Sequence, residues 1–131
     1  MLGKIQSKEK KLDKIILDYK QIYEGSPVPQ RAINKDGFII SCNNAYAKKL
    51  GYTKRQVIGK SIFNHTAKIS IDVLKSELKN WKKTQIITNK MIWLKRKNGK
   101  TFPTLLSGTS VYDVKGKMVG RIVSLVDLTE I

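Results

Sequence analysis

The chain has 131 residues, 40% hydrophobic and 27% charged, which is the balance of a globular domain and not of a disordered segment. That length suits one domain with a sizeable core. Net charge is +16, no apolar run approaches the roughly 20 residues of a membrane-spanning helix, and Lys4, Lys8, Lys10 and Lys11 break up any signal-peptide core.

A cytoplasmic protein, or a cytoplasmic piece of a larger one, is therefore expected. The single cysteine, Cys42, rules out an internal disulfide and supplies no metal-ligand spacing, so no metal site is expected. The positive charge invites a nucleic-acid reading, but its distribution argues for a solvated surface. Residues 1–24 carry six lysines against Glu9, Asp13, Asp18 and Glu24, and the rest of the excess is scattered over helix ends and turns. No helix-turn-helix spacing, zinc set or aromatic RNA-binding strand accompanies it. Non-specific affinity for polyanions is what remains of that reading.

Residues 2–24 predict one amphipathic helix. Ile5, Leu12 and Tyr19 recur seven apart, as do Ile15 and Ile22, with Lys8 in the earlier position of that second series. This is a short heptad seam. It serves either a parallel coiled coil between two subunits or a helix folded back on its own domain. Gly25-Ser26-Pro27 ends it. The division expected is thus 1–25 for a dimerisation or signalling helix and 26–131 for the domain proper.

A first strand is predicted near 30–34 and a second over 38–42, joined by a turn with Gly37 at positive φ. Asn43-Asn44 then caps a short helix that ends at Gly51. Thr53 and Gln56 form a capping box for another, ending near Val57. Residues 71–83 carry Val73, Leu74, Leu78 and Trp81 at helical spacing. A third strand is expected over 85–94, with Asn98-Gly99 turning into a fourth. The last run, 118–128, is joined to the fourth strand by a turn at 113–117. Val119, Ile122, Val123, Leu125, Val126 and Leu128 make it dense enough to predict a central strand buried on much of both faces.

The order of these pieces resembles the PAS sensor domain. The matching text is NKDGFIISCNNAYAKKLGYTKRQVIGKSIF, then WLKRKNGKTFPTLLSGTSV, then GKMVGRIVSLVDLTE, over about residues 26–130. The resemblance implies an α+β fold: a five-stranded antiparallel sheet of order 2-1-5-4-3 with helices on one face. It also implies that function lies between sheet and helices, where a small ligand or chromophore shifts strands and flanking helices. The family's closing tripeptide matches Asp127-Leu128-Thr129, the implied signal-output point leading to a connector helix. The chain stops two residues later, so the effector is expected to have been cut away or to be a separate chain. The implied output is a histidine kinase, a response regulator or a transcription regulator in two-component signalling, with a homodimer formed by the N-terminal helix.

Pocket chemistry is less readable. Flavin photosensor members of the family carry a reactive cysteine in the stretch matching residues 59–64, which here has none. Flavin-cysteinyl chemistry is therefore not expected. Haem-binding members use a histidine on the long covering helix. His65 lies before that helix, so haem is not expected either, and a capped or solvent-facing loop histidine is the plain alternative. The cofactor, if any, is unknown. Candidate pocket residues are Tyr46, Phe63, His65, Trp81, Met91 and Trp93, with the small residues Gly108, Ser110, Gly120 and Ser124 as the hint of space opposite them. Cys42 is expected as a small buried residue. No Ser-His-Asp set, paired carboxylates or phosphate loop is present; Gly59-Lys60-Ser61 lacks the glycine five residues earlier, where Lys54 stands. No enzymatic activity is expected. The alternatives to a sensor are a basic nucleic-acid-binding domain and a structural dimerisation module with a filled core.

Overall fold

A computed structural model of the chain describes residues 2–81, 83 and 86–131; for residues 2–6, 19 and 86–88 it describes the backbone alone. Helix α1 spans Leu2–Gly25. Strands β1 (Gln30–Ile33) and β2 (Ile39–Cys42) follow, then helices α2 (Asn44–Leu50) and α3 (Lys54–Val57). Two 3-10 turns, Ile62–His65 and Lys68–Ser70, lead into α4 (Ile71–Asn80). The long strands β3 (Ile86–Lys95), β4 (Thr101–Tyr112) and β5 (Met118–Asp127) complete a five-stranded antiparallel sheet of order β2-β1-β5-β4-β3.

Local chemistry sets the joints. Asn43 accepts from the Tyr46 amide and so caps α2. It does more from full burial: Oδ1 also accepts from the Gln30 amide and Nδ2 donates to the Val28 carbonyl, which fastens α2 to the start of β1. Thr53 and Gln56 form the expected capping box on α3. In the β4–β5 turn, Asp113 Oδ1 accepts from the amides of Lys115 and Lys117, and Gly116 sits at φ +81°. Helix α4 ends at Asn80, short of the expected 83. Trp81 keeps αR geometry with its amide bonded to the Glu77 carbonyl; the expected residues Lys82 of this helix and Gln85 of β3 lie outside the described ones.

Helices α2, α3 and α4 lie on one face of the sheet. The core between them holds Ile33, Ile39, Leu50, Ile92, Leu94 and Phe102, with Cys42 buried as expected. The other face is bare in places. On β5, Val123 and Leu125 are buried, whereas the alternating residues Val119, Ile122 and Val126 are exposed. The expectation of a last strand buried on both faces is corrected here. β5 is central, but its apolar density comes from an inner face in the core and an outer face that stays exposed at Val119, Ile122 and Val126.

The described side-chain bonds between helix α1 and the domain lie near the helix's end. The Tyr23 hydroxyl lies 3.2 Å from Ser41 Oγ, and Glu24 pairs with Lys54. Upstream, Leu12, Ile15, Ile16, Leu17 and Ile22 are all at least half exposed. No helix among the described residues is long and apolar enough to cross a membrane.

Candidate functional site

Strand alternation puts two arginines where apolar residues belong. Arg31 is in phase with Ile33 on β1, and Arg121 with Val123 and Leu125 on β5, so both guanidinium groups enter the space between sheet and α4. Each residue is 2% exposed. There they line a cavity of about 30 Å³ together with Glu77 of α4, Trp81 just past its end, Leu106 and Val123.

Arg121 extends across Gly108. A Cβ at that glycine would stand 3.2 Å from Arg121 Cδ, so the missing side chain is what admits the arginine stem. Its guanidinium carbon lies 4.6 Å from the centre of the Trp81 ring, a cation–π stack. Trp81 is held in turn by its Nε1, which donates to Ser110 Oγ at 2.9 Å. Burial lowers the Arg121 pKa to about 10, and Glu77 works in the opposite direction, so the group stays charged at neutral pH. Glu77 also pairs with Lys90 at 3.1 Å.

Arg31 begins a chain of buried hydrogen bonds. Its Nη1 donates to Tyr46 Oη at 2.9 Å, and Tyr46 Oη lies 3.2 Å from His65 Nδ1. A guanidinium only donates, so the phenol oxygen accepts from Arg31 and its hydrogen goes to His65. His65 Nδ1 is therefore the acceptor, and the ring carries its proton on Nε2. Burial first, then repulsion from Arg31 and Lys95, lowers the His65 pKa from 6.5 to about 4. Its ring lies 4.9 Å from that of Tyr52. Among the described residues Arg31 Nε has no hydrogen-bond partner, and it has no access to solvent.

The residues singled out from the sequence divide into three groups. Trp81 lines the cavity, Ser110 and Gly108 position its neighbours, and Tyr46 and His65 stand behind Arg31. Phe63 is half-buried against the core and is not among the residues lining the cavity. Met91, Trp93 and Ser124 point to the other face of the sheet. The residues that alternate with them, Ile92, Leu94, Val123 and Leu125, are the buried ones. Met91 is exposed, and Ser124 accepts from Gln30 Nε2. Gly120 leaves no cavity; a Cβ there would stand 2.5 Å from the Ile33 carbonyl oxygen, so this glycine permits close strand approach. His65 is buried and not solvent-facing, because the 3-10 turn Ile62–His65 folds it inward beneath Tyr46 and Tyr52. Among the described residues no cluster of potential metal ligands occurs.

Arg31, Arg121 and Glu77 escaped the sequence reading. An available signal was the strand phase, since each arginine stands two residues from a buried aliphatic neighbour on the same face.

The end of β5 is a second polar cluster. Asp127 is buried and accepts from the Thr129 amide at 2.9 Å and hydroxyl at 2.6 Å. Lys49 and Arg96 approach it at 3.3 and 3.6 Å. Burial would raise the Asp127 pKa, but the Thr129 bonds and Lys49 together hold it below its usual value. Leu128 and Thr129 continue into the 3-10 turn Leu128–Glu130, and Glu130 pairs with Lys49. A surface hollow of about 530 Å³ beside this cluster is lined by Lys48, Lys49, Arg96 and Lys97, of which Lys49 and Arg96 are already engaged by Asp127.

The PAS domain family model matches residues 32–130. Among solved structures, the chain is similar to a PAS domain from Colwellia psychrerythraea (TM-score 0.80, 20% identity, 89% of this chain and 99% of that one). It is also similar to the PAS domain of an HTR-like protein from Haloarcula marismortui (TM-score 0.76, 17% identity, 94% and 99%). A PAS domain from a two-component sensor histidine kinase aligns with a TM-score of 0.73 at 12% identity, over 90% of this chain and 98% of that one. No curated protein matches the chain in sequence.

Proposed function

Because this chain belongs to the PAS domain family, a family of signalling sensor modules, we propose that it acts as a dimeric input module whose α1 helices carry the state of the inner pocket to an effector. The effector is a histidine kinase, a response regulator or a transcription regulator, on the same chain or a separate one. One observation carries this reading. Helix α1 holds Leu12, Ile15 and Ile22 at least half exposed, while its last turn is fastened to β2 and α3 through Tyr23–Ser41 and Glu24–Lys54. An amphipathic helix with exposed apolar side chains from Leu12 to Ile22, anchored at one end, suits pairing with a second copy. The side chains of Ile5 and Tyr19, also expected in that seam, lie outside the described ones.

The anchor gives the relay a route. Ser41 and Arg31 stand on adjacent strands, with Arg31 opposite Cys42 in the β1–β2 register. A change at the Arg31 guanidinium therefore reaches the α1 attachment within one strand spacing. The bias it exerts equals the ligand's difference in affinity between two arrangements of the helices and no more. Sedimentation of the chain and of its Ile15→Asp/Ile22→Asp variant tests the dimer. We expect a dimer in the first case and a folded monomer, with unchanged sheet signal in circular dichroism, in the second. Equal molar masses would overturn the reading.

A further inference from the structure

We propose that the cavity beneath α4 is a binding site for one small monovalent anion, a halide or an ion of similar size such as formate, held between the guanidinium groups of Arg31 and Arg121. This names the ligand chemistry of the pocket in the reading above, yet it stands apart from dimerisation, which molar mass tests separately.

Charge is the first argument. Arginine does not shed its proton in a protein, and Arg31 is shut away from solvent without an ion pair to any described carboxylate. A buried charge lacking a counter-charge is costly, as is a buried donor left unmade. Glu77 is the one carboxylate among the cavity's lining residues, and Lys90 shares it. Two guanidinium groups against one shared carboxylate leave the pocket positive by about one charge. A single negative charge restores balance; a second would be surplus.

Space is the second argument. A cavity of about 30 Å³ admits one or two water-sized bodies, so sulfate and dicarboxylates are too large. Geometry is the third. Arg31 Nε, which has no hydrogen-bond partner among the described residues, belongs to a side chain that lines the cavity, and the opposite side is formed by Arg121 stacked on Trp81. The remaining lining is largely aliphatic, including Ile33, Leu74, Leu106 and Val123, and such a low-dielectric surround strengthens an ion's attraction to both guanidiniums.

The occupant would also be felt beyond the cavity. An anion drawn to Arg31 pulls on the guanidinium whose Nη1 also donates to Tyr46 Oη. Tyr46 in turn sets the proton position on His65, so occupancy reaches α2 and the 3-10 turn Ile62–His65 through existing hydrogen bonds.

Thermal melts of the full chain with sodium chloride replacing sodium sulfate at fixed ionic strength give the first test. We expect a saturable rise in melting temperature with chloride, repeated with bromide and formate, and weakened at least tenfold in apparent affinity in Arg31→Met. An equal response in the variant would assign the effect to surface lysines and overturn the proposal. Crystals of the unaltered chain grown in bromide give a second test that needs no variant to fold. An anomalous peak between Arg31 and Arg121 is expected, and a map with bromide only at surface sites would overturn the proposal.

Discussion

Protonation of His65 should destabilise the fold over a pH window set by its burial. The side chain is 2% exposed, accepts from Tyr46 Oη at Nδ1, and faces Arg31 and Lys95 as the nearby cations. Its pKa is about 4 in the folded chain against an ordinary value of 6.5. The folded state thus binds the proton more weakly than the unfolded chain does. Stability from this group is complete above pH 6.5 and is lost as pH falls from there towards 4. Linkage gives a loss of about 1 kcal/mol at pH 5.5 and about 2–3 kcal/mol at pH 4.5. Asp127 also loses stability in acid, because its pKa is held below the ordinary 3.8, but its window lies beneath that value. Urea unfolding of the chain and of His65→Gln at pH 7.5, 6.5, 5.5 and 4.5 separates the two. Gln offers an acceptor oxygen to Tyr46 and does not titrate, so the difference between the curves isolates His65. Curves that fall in parallel between pH 6.5 and 4.5 would refute the reasoning.

Two further substitutions test the site and the sheet. Tyr46→Phe removes the hydroxyl between Arg31 Nη1 and His65 Nδ1 and leaves both buried groups without that partner; a loss of about 1–3 kcal/mol in denaturant unfolding is expected, and nitrogen NMR of His65 should show the second tautomer gaining population. Gly120→Ala forces a Cβ against the Ile33 carbonyl oxygen at 2.5 Å and should cost about 3 kcal/mol, with loss of amide protection in β1. Gly116→Ala, in open space but at φ +81°, should cost only roughly 1–2 kcal/mol. If Gly120→Ala melts with the parent chain, the close approach of β1 to β5 is wrong.

The order of strands and helices was legible because each element carries its own local instructions. Asn43, the Thr53–Gln56 box and the glycine at the 113–117 turn act within four residues of themselves. The family resemblance then supplied the 2-1-5-4-3 order, and the sheet has it. Composition alone misjudged β5, because a run of aliphatic residues reads the same whether one face or both are covered.

The pocket was decided by contacts between residues far apart in the chain. Arg31 and Arg121 meet one cavity only because β1 and β5 pair in the register that sets Arg31 opposite Val123 and Ile33 opposite Arg121. Sequence proximity placed His65 in a loop, and it took the inward 3-10 turn to bury it against Tyr46. Met91 and Trp93 looked equally fit to line a pocket, yet strand phase turned them to the opposite face from Ile92 and Leu94. Local propensity therefore determined which segments became helix and strand. The tertiary structure decided which charges share a cavity, because strand register brings together side chains that no local interaction in the chain links.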